Sequence, residues 1–316
     1  YKRNFMSEKI RVGVVGVGYL GKFHARIYSG MDNVELIGIV DPNEETAKTI
    51  AGECHCKVFD DIESLSKEID AVSIVSPTSL HLESATPFLQ KGVHMMLEKP
   101  IAPSVEEGQK IVEMAESNNA ILQIGHLERF NAGVMALAER VSSPKFIEAH
   151  RMGEFVARAT DVDVVSDLMI HDIDIILSLV NSELTDISAN GLSVLTDHID
   201  IANARLEFEN GAVANVTASR VSNKTLRRIR LFEQNRYDSL DFIAQNLETV
   251  HAQPKAGEEW PEIIKEDIKI EPVQPLNVEL AEFITSVQTG KAPLVGGRVG
   301  LKALSVAIQI KEAIGK

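Results

Sequence analysis

Cysteine is scarce. The chain has two, Cys54 and Cys56, with only His55 between them. Neighbours that close are poorly placed for an unstrained disulfide. As metal ligands they lack the usual zinc spacing and have no second ligand pair nearby, so no metal site is expected. So few cysteines, with no legible signal peptide, fit a reducing cytosol and a cytoplasmic location. Positive charge is also short. There are 32 Lys and Arg against 46 Asp and Glu, a net charge of −14. Nucleic acid and anionic membrane surfaces call for a basic face, so neither is expected as a partner. An anionic small substrate would need a local arginine cluster. No apolar run, those around Val14 and Ile121 included, is long enough to span a bilayer. Internal repeats and low-complexity tracts are absent.

What remains is an ordinary globular composition over 316 residues, 44% hydrophobic and 25% charged, a length that points to two domains. Tyr1 to Phe5 precede Met6 and read as a leader. The apolar, β-branched run at residues 10–15 reads as a strand. Gly16-Val17-Gly18-Tyr19-Leu20-Gly21 follows at once, and then Phe23, Ile27 and Met31 recur at helical spacing. A G-x-G-x-x-G between strand and helix is the context that gives the pattern meaning. Gly16 permits a tight turn, Gly18 lets backbone approach a pyrophosphate, and Gly21 lets the helix pack closely. The helix N-terminus offers N–H groups to phosphate. A second strand, Val34 to Val40, ends in Asp41, about 20 residues past Gly21, where an acid accepts from the ribose hydroxyls of NAD and repels the 2′-phosphate of NADP. NAD is therefore the expected cofactor over NADP. Asp41 also reads as a helix N-cap before Pro42-Asn43, and the two roles are compatible.

The alternation continues. Strands at 71–75, 93–97 and 120–124 alternate with helices starting near Ser79 and at Ser104, which forms a capping box with Glu107. Apolar strands alternating with helices imply a parallel, doubly wound sheet, an α/β Rossmann domain over residues 1–124. Asp41, Ser76-Pro77-Thr78 and Glu98-Lys99-Pro100 all fall at strand ends, where such sheets bind ligands. From Gly125 the pattern changes. Helices are expected over Asn131 to Val141 and Val165 to Val180, with a strand from Phe146 to Met152 between them. Strands then dominate from Ile187 to Val250, with a hairpin at Glu209-Asn210-Gly211-Ala212. The polar stretch Lys255 to Glu266 reads as a loop. Leu276 to Thr289 and Val299 to Ile314 read as closing helices. Residues 125–316 are thus expected to form an α+β domain on a large, mostly antiparallel sheet.

Asp167 and His171 stand at i and i+4 on a helix and share a face. On spacing alone, a hydrogen-bonded packing histidine explains the pair as well as catalysis does, and Asp172 and Asp174 read equally as a solvated face. Here the chain resembles the glucose–fructose oxidoreductase and inositol dehydrogenase (Gfo/Idh/MocA) family along essentially its whole length. The resemblance rests on Gly16-x-Gly18-x-x-Gly21 followed by His24, on Ser76-Pro77-Thr78-x-x-His81, on Glu98-Lys99-Pro100, and on Asp167-x-x-x-His171. Thr78 departs from the asparagine often found there. The resemblance implies hydride transfer at a nicotinamide, with a catalytic set of Lys99, Asp167 and His171. His171 is the implied general base, and an imidazole of ordinary pKa, roughly 6.5, suits that role. Lys99 is implied to stabilise charge developing on the reacting oxygen, and Asp167 to orient substrate and base. Tyr19, Leu20, Ser76, Pro77, Thr78, His81 and Glu98 join the glycines, Asp41 and Lys99 as expected cofactor contacts, and Pro100 is implied to follow a cis peptide bond.

Gly125 to Asn131, Val165 to Ile176, and Thr217 to Ser222 resemble a branch of the family that oxidises the C3 hydroxyl of UDP-N-acetylglucosamine. For such a nucleotide sugar Arg129, Arg151, Arg158 and Arg220 are the expected diphosphate ligands, because guanidinium forks match phosphate geometry. Arg227 is ambiguous. Arg228 and Arg230 share a strand face that reads as solvated or as a subunit contact. The resemblance also implies a homodimer or homotetramer through the C-terminal sheet. Two alternatives stay open: a dehydrogenase of a free sugar, inositol or other small carbonyl compound, and a non-catalytic cofactor-binding regulator.

Overall fold

The structure is a computed structural model that describes residues 9–156 and 162–315; Tyr1–Phe5 lie outside that range. In the first half, β1 (Ile10–Val15), β2 (Val34–Val40), β3 (Lys57–Val58), β4 (Ala71–Ile74), β5 (His94–Glu98) and β6 (Leu122–Gly125) form one sheet. Their order is β3-β2-β1-β4-β5-β6, and every pair is parallel. The helices between them are α1 (Gly21–Ser29), α2 (Glu44–Cys54), α3 (Ile62–Leu65), α4 (His81–Leu89) and α5 (Val105–Ser117). Side-chain caps start three of them: Asn43, Asp61 and Ser104 each accept a first-turn N–H. The strand order reverses between β1 and β4, the point at which open parallel sheets bind their ligands.

The helical spacing of Phe23, Ile27 and Met31 is that of α1: Ile27 and Met31 pack at the margin of the core, Phe23 is exposed, and His24, Ala25 and Tyr28 are buried. Tyr28 Oη lies 2.8 Å from Ser73 Oγ and His24 Nδ1 lies 3.2 Å from it. Buried polar groups are tolerated when hydrogen-bonded, so this face is polar and internal. Phe23 stays outside, with Lys22 and Arg26 over its ring.

The second half opens with α6 (Ala132–Ala138), capped by Asn131, then β7 (Phe146–Met152) and α7 (Ile170–Val180). Strands β8 (Leu184–Leu192), β9 (Ile201–Phe208), β10 (Val213–Ser219), β11 (Leu226–Glu233), β12 (Arg236–Asp241), β13 (Asn246–Gln253) and β14 (Glu262–Ile268) follow. With β7 they form a second sheet ordered β14-β13-β12-β11-β7-β10-β9-β8. It is antiparallel except where β7 meets β10. The β9–β10 hairpin turns at the expected Asn210-Gly211, with Gly211 at positive φ. The helix packs on the face lined by Ala149, Ala214, Val216 and Ala218, where small side chains let it approach closely. β14 corrects the reading of Lys255 to Glu266 as a loop. It is an edge strand with mostly exposed residues, and edge strands carry charges such as Lys265, Glu266 and Asp267 that hide their period.

The last helices are α8 (Pro275–Thr289) and α9 (Gly297–Ile314). They overturn a single cut at residue 124. One compact unit runs to Leu127 and takes in Gln274–Leu304; the other comprises Glu128–Val273 and the segment from Ser305. Leu280, Phe283, Ile284 and Val287 of α8 join the core of the first unit beside Ile10, Val12, Val34 and Ile39. Periodicity shows that a helix has an apolar face but not which core that face covers.

Candidate active site

In the first unit the chain leaves β1 and turns at Gly16, at φ +82°. A Cβ there would come within 2.8 Å of the Val75 carbonyl oxygen, and one at Gly21 within 1.8 Å of the Gly16 carbonyl oxygen. At Gly18 a Cβ would meet nothing within 4 Å. The fold itself demands the first and third glycines. The second leaves open space above the backbone, which is what a pyrophosphate needs. Asp41 Oδ2 accepts from Val17 N at 2.7 Å and Oδ1 from Asn43 N at 2.8 Å. The α2 cap is Asn43, which accepts from Thr46 N at 2.9 Å, so Asp41 is not the cap. Each Asp41 oxygen has a further lone pair for a ribose hydroxyl. Gly16, Gly18, Asp41, Ser76 and Pro77 line an open cleft of about 360 Å³. Tyr19, Leu20, Gly21 and Thr78 do not line it; Tyr19 is exposed on the loop into α1, and Thr78 starts the 3-10 turn Thr78–Leu80.

His81 is placed behind the cleft, not in it. It is fully buried, with Nε2 3.0 Å from the Ser76 carbonyl and Nδ1 3.3 Å from that of Ile101. Burial holds its pKa below the ordinary imidazole value. A neutral imidazole donates from one nitrogen only, so His81 hydrogen-bonds one of these two carbonyls at a time. It lies buried between the loop after β4 and the segment after Pro100 and does not line the cleft. Glu98 is also set back. Its Oε1 lies 3.3 Å from His24 Nε2, Oε2 accepts from Lys99 N at 3.3 Å, and a Cβ at Gly125 would come within 2.9 Å of that oxygen. Burial pushes the Tyr28 phenol up, so that it remains protonated beside Ser73. Lys99 is half-buried, and the Lys99–Pro100 peptide is cis, as the resemblance implied.

In the second unit Asp167 falls in a π-helical turn, Val165–Met169, which runs into α7. Single π turns within helices recur at functional sites. Asp163 holds the start of this turn, accepting from Ser166 N at 2.8 Å and from Lys311 Nζ at 3.2 Å. Asp167 and His171 are both half-buried. Asp167 lines a cleft of about 360 Å³ together with Arg151, Gly153, Ser219, Arg220 and Arg227; His171 does not line it.

The expected diphosphate arginines are largely committed elsewhere. Arg151, 3% exposed, donates Nε and Nη2 to Asp172 at 3.0 and 2.9 Å and Nη1 to Glu128 at 2.7 Å. Burial works against its charge, but the two carboxylates more than offset this and raise its pKa. Arg129 Nη1 sits 3.5 Å from Asp174. Arg220 donates to the Val162 carbonyl and has Nε 3.7 Å from Asp200. Asp200 is buried and accepts from the backbone of Val194, Leu195 and Thr196 at 2.8, 2.7 and 2.9 Å. Burial pushes its carboxyl up, but these donors pull it well below the usual carboxylate range. Arg158 lies outside the described residues. Asp172 and Asp174, read from sequence as a possible solvated face, are buried partners of Arg151 and Arg129. On β11, Arg228 pairs with Asp241 and Arg230 with Glu148, whereas Arg227 points to the opposite face.

A parallel sheet ordered around a glycine loop, with an acid at the end of the second strand, defines a Rossmann-type, dinucleotide-dependent oxidoreductase. Residues 10–126 match the model of the oxidoreductase family with an NAD-binding Rossmann fold, and residues 134–235 match that family's C-terminal domain. The chain belongs to the Gfo/Idh/MocA oxidoreductase family. It is 36% identical over 306 residues to UDP-N-acetylglucosamine 3-dehydrogenase of Acidithiobacillus ferrooxidans, which covers 96% of this chain and 97% of that protein. A solved structure of that enzyme is similar at a TM-score of 0.91, covering 97% of each chain. The scyllo-inositol 2-dehydrogenase (NAD(+)) of Bacillus subtilis is 28% identical over 239 residues, 69% of each protein. Among the described residues no helix is long and apolar enough to cross a membrane.

Proposed function

We propose that the protein oxidises the C3 hydroxyl of UDP-N-acetylglucosamine, or of a similar nucleotide sugar, to a ketone. The observation that carries this reading is the end-to-end likeness to the Acidithiobacillus enzyme, which spans both units. The first unit is the cofactor-binding part and the second the substrate-binding and oligomerisation part. The open space over Gly18 and the spare lone pairs of Asp41 fit NAD, which supplies the hydride acceptor when bound. His171 takes the hydroxyl proton as the C3 hydrogen leaves with its electron pair. Lys99 donates a hydrogen bond to the same oxygen and stabilises the negative charge developing there. Asp167 orients the imidazole and the sugar. The protein works in the cytoplasm, as a homodimer or homotetramer formed through the C-terminal sheet.

A second reading, oxidation of an inositol or free sugar, is favoured by the likeness to scyllo-inositol 2-dehydrogenase. The two separate in one assay. Purified protein is mixed with NAD and either UDP-N-acetylglucosamine or scyllo-inositol, with a ketone-trapping reagent present, and nicotinamide absorbance is followed. Reduced cofactor formed with the nucleotide sugar and lost in Lys99→Ala supports the first reading. Turnover of the inositol alone would replace it with the second.

A further inference from the structure

Among the described residues, the cleft beside Asp167 contains one arginine whose charge is not used by the fold. Arg227 is the second residue of β11 and lies opposite Arg151 in the β7 register. Like charges placed directly opposite on neighbouring strands destabilise a sheet, and every other arginine of this wall has a carboxylate that relieves the strain. Arg151 has Asp172 and Glu128, and Arg220 has Asp200. On the opposite face Arg228 and Arg230 have Asp241 and Glu148. Among the described residues Arg227 forms no ion pair and no side-chain hydrogen bond, so its N–H donors remain available. Glu154 lines the same cleft and is exposed, yet it does not pair with Arg227.

We propose that Arg227 is the specificity-determining residue for the phosphate-bearing part of the substrate, receiving the diphosphate of a nucleoside diphosphate sugar. This rests on the nucleotide-sugar reading and deepens it. The guanidinium fork takes two phosphate oxygens at once, and Arg151 and Arg220 form the wall behind it, not the receptor. The anion also relieves the unpaired charge opposite Arg151. Substrates without a phosphate leave Arg227 in water and gain nothing from it.

The test measures UDP binding to the NADH-loaded protein by calorimetry, with the KM and kcat of UDP-N-acetylglucosamine oxidation alongside. Arg227→Gln should weaken UDP binding and raise KM by roughly 10- to 150-fold, the range for loss of a charge-assisted hydrogen-bonded contact, with kcat close to wild type. Arg227→Lys should recover part of the affinity, because a point charge replaces a fork. Arg228→Gln, on the other sheet face, should change neither. A wild-type protein that binds UDP and an Arg227→Gln variant that binds it equally well would overturn the assignment while leaving the nucleotide-sugar reading intact. A wild-type protein that binds no UDP would overturn both.

Discussion

Removing Asp172 tests whether Arg151 is part of the fold or part of the substrate site. In Asp172→Ala the buried guanidinium loses the bonds of 3.0 and 2.9 Å and keeps only Glu128 at 2.7 Å. Stripping one partner from a buried ion pair costs about 3–5 kcal/mol, because the remaining charge stays out of water. Glu128 persists, so the lower end, about 3 kcal/mol, is expected. For a unit of this size that corresponds to a melting temperature lower by about 6–12 °C. Thermal unfolding followed by circular dichroism reads it directly. The triple variant Arg151→Met, Asp172→Leu, Glu128→Gln, which leaves no carboxylate of the cluster unpaired, should recover most of the loss, since apolar replacement of a buried ionic cluster is often neutral. An Asp172→Ala protein that melts within about 2 °C of wild type, a shift worth no more than about 1 kcal/mol, but shows a raised KM for the nucleotide sugar would refute the structural role and return Arg151 to the ligand set.

Two further outcomes separate fold from function. Gly18→Ala should melt like wild type yet bind NAD roughly 5- to 150-fold more weakly, the effect of about 1–3 kcal/mol for a methyl that cannot be accommodated; Gly21→Ala, whose Cβ would meet the Gly16 carbonyl at 1.8 Å, should lose folded protein outright. Asp200 has a carboxyl held below its unfolded value, so its stabilisation is present above the ordinary Asp pKa of about 3.9 and fades as pH falls below it. Asp200→Asn should therefore melt well below wild type at pH 7, with the gap narrowing in acid; a gap that is constant with pH would contradict the linkage.

The parts of the fold legible in the sequence are those decided locally. Strand, glycine turn and helix succeed one another within residues 10–29, and each glycine sits where the backbone itself requires or permits it. The Asn210-Gly211 hairpin and the Ser104 cap are local in the same sense. What escaped is decided by distant partners. Helix α8 covers the core of a sheet formed more than a hundred residues earlier, and its period carries no address. The buried polar face of α1 depends on Ser73, a hydroxyl on another strand that meets His24 and Tyr28. The pairing of the arginines is decided in the same way. An arginine suited to phosphate is equally suited to a carboxylate, and only three dimensions show that Asp172, Asp174, Glu128 and Asp200 had already taken three of them. Among the described arginines of the cleft, Arg227, ambiguous in the sequence, is the one without a carboxylate partner.

The central claim is that a hydride leaves C3 of a nucleotide sugar for the nicotinamide. UDP-N-acetylglucosamine deuterated at C3 tests it in one experiment, with the reduced cofactor recovered and weighed by mass spectrometry. The account predicts that the deuterium appears in the reduced nicotinamide and that Lys99→Ala abolishes the transfer. Reduced cofactor that carries no deuterium would place the oxidation at another carbon and contradict the account.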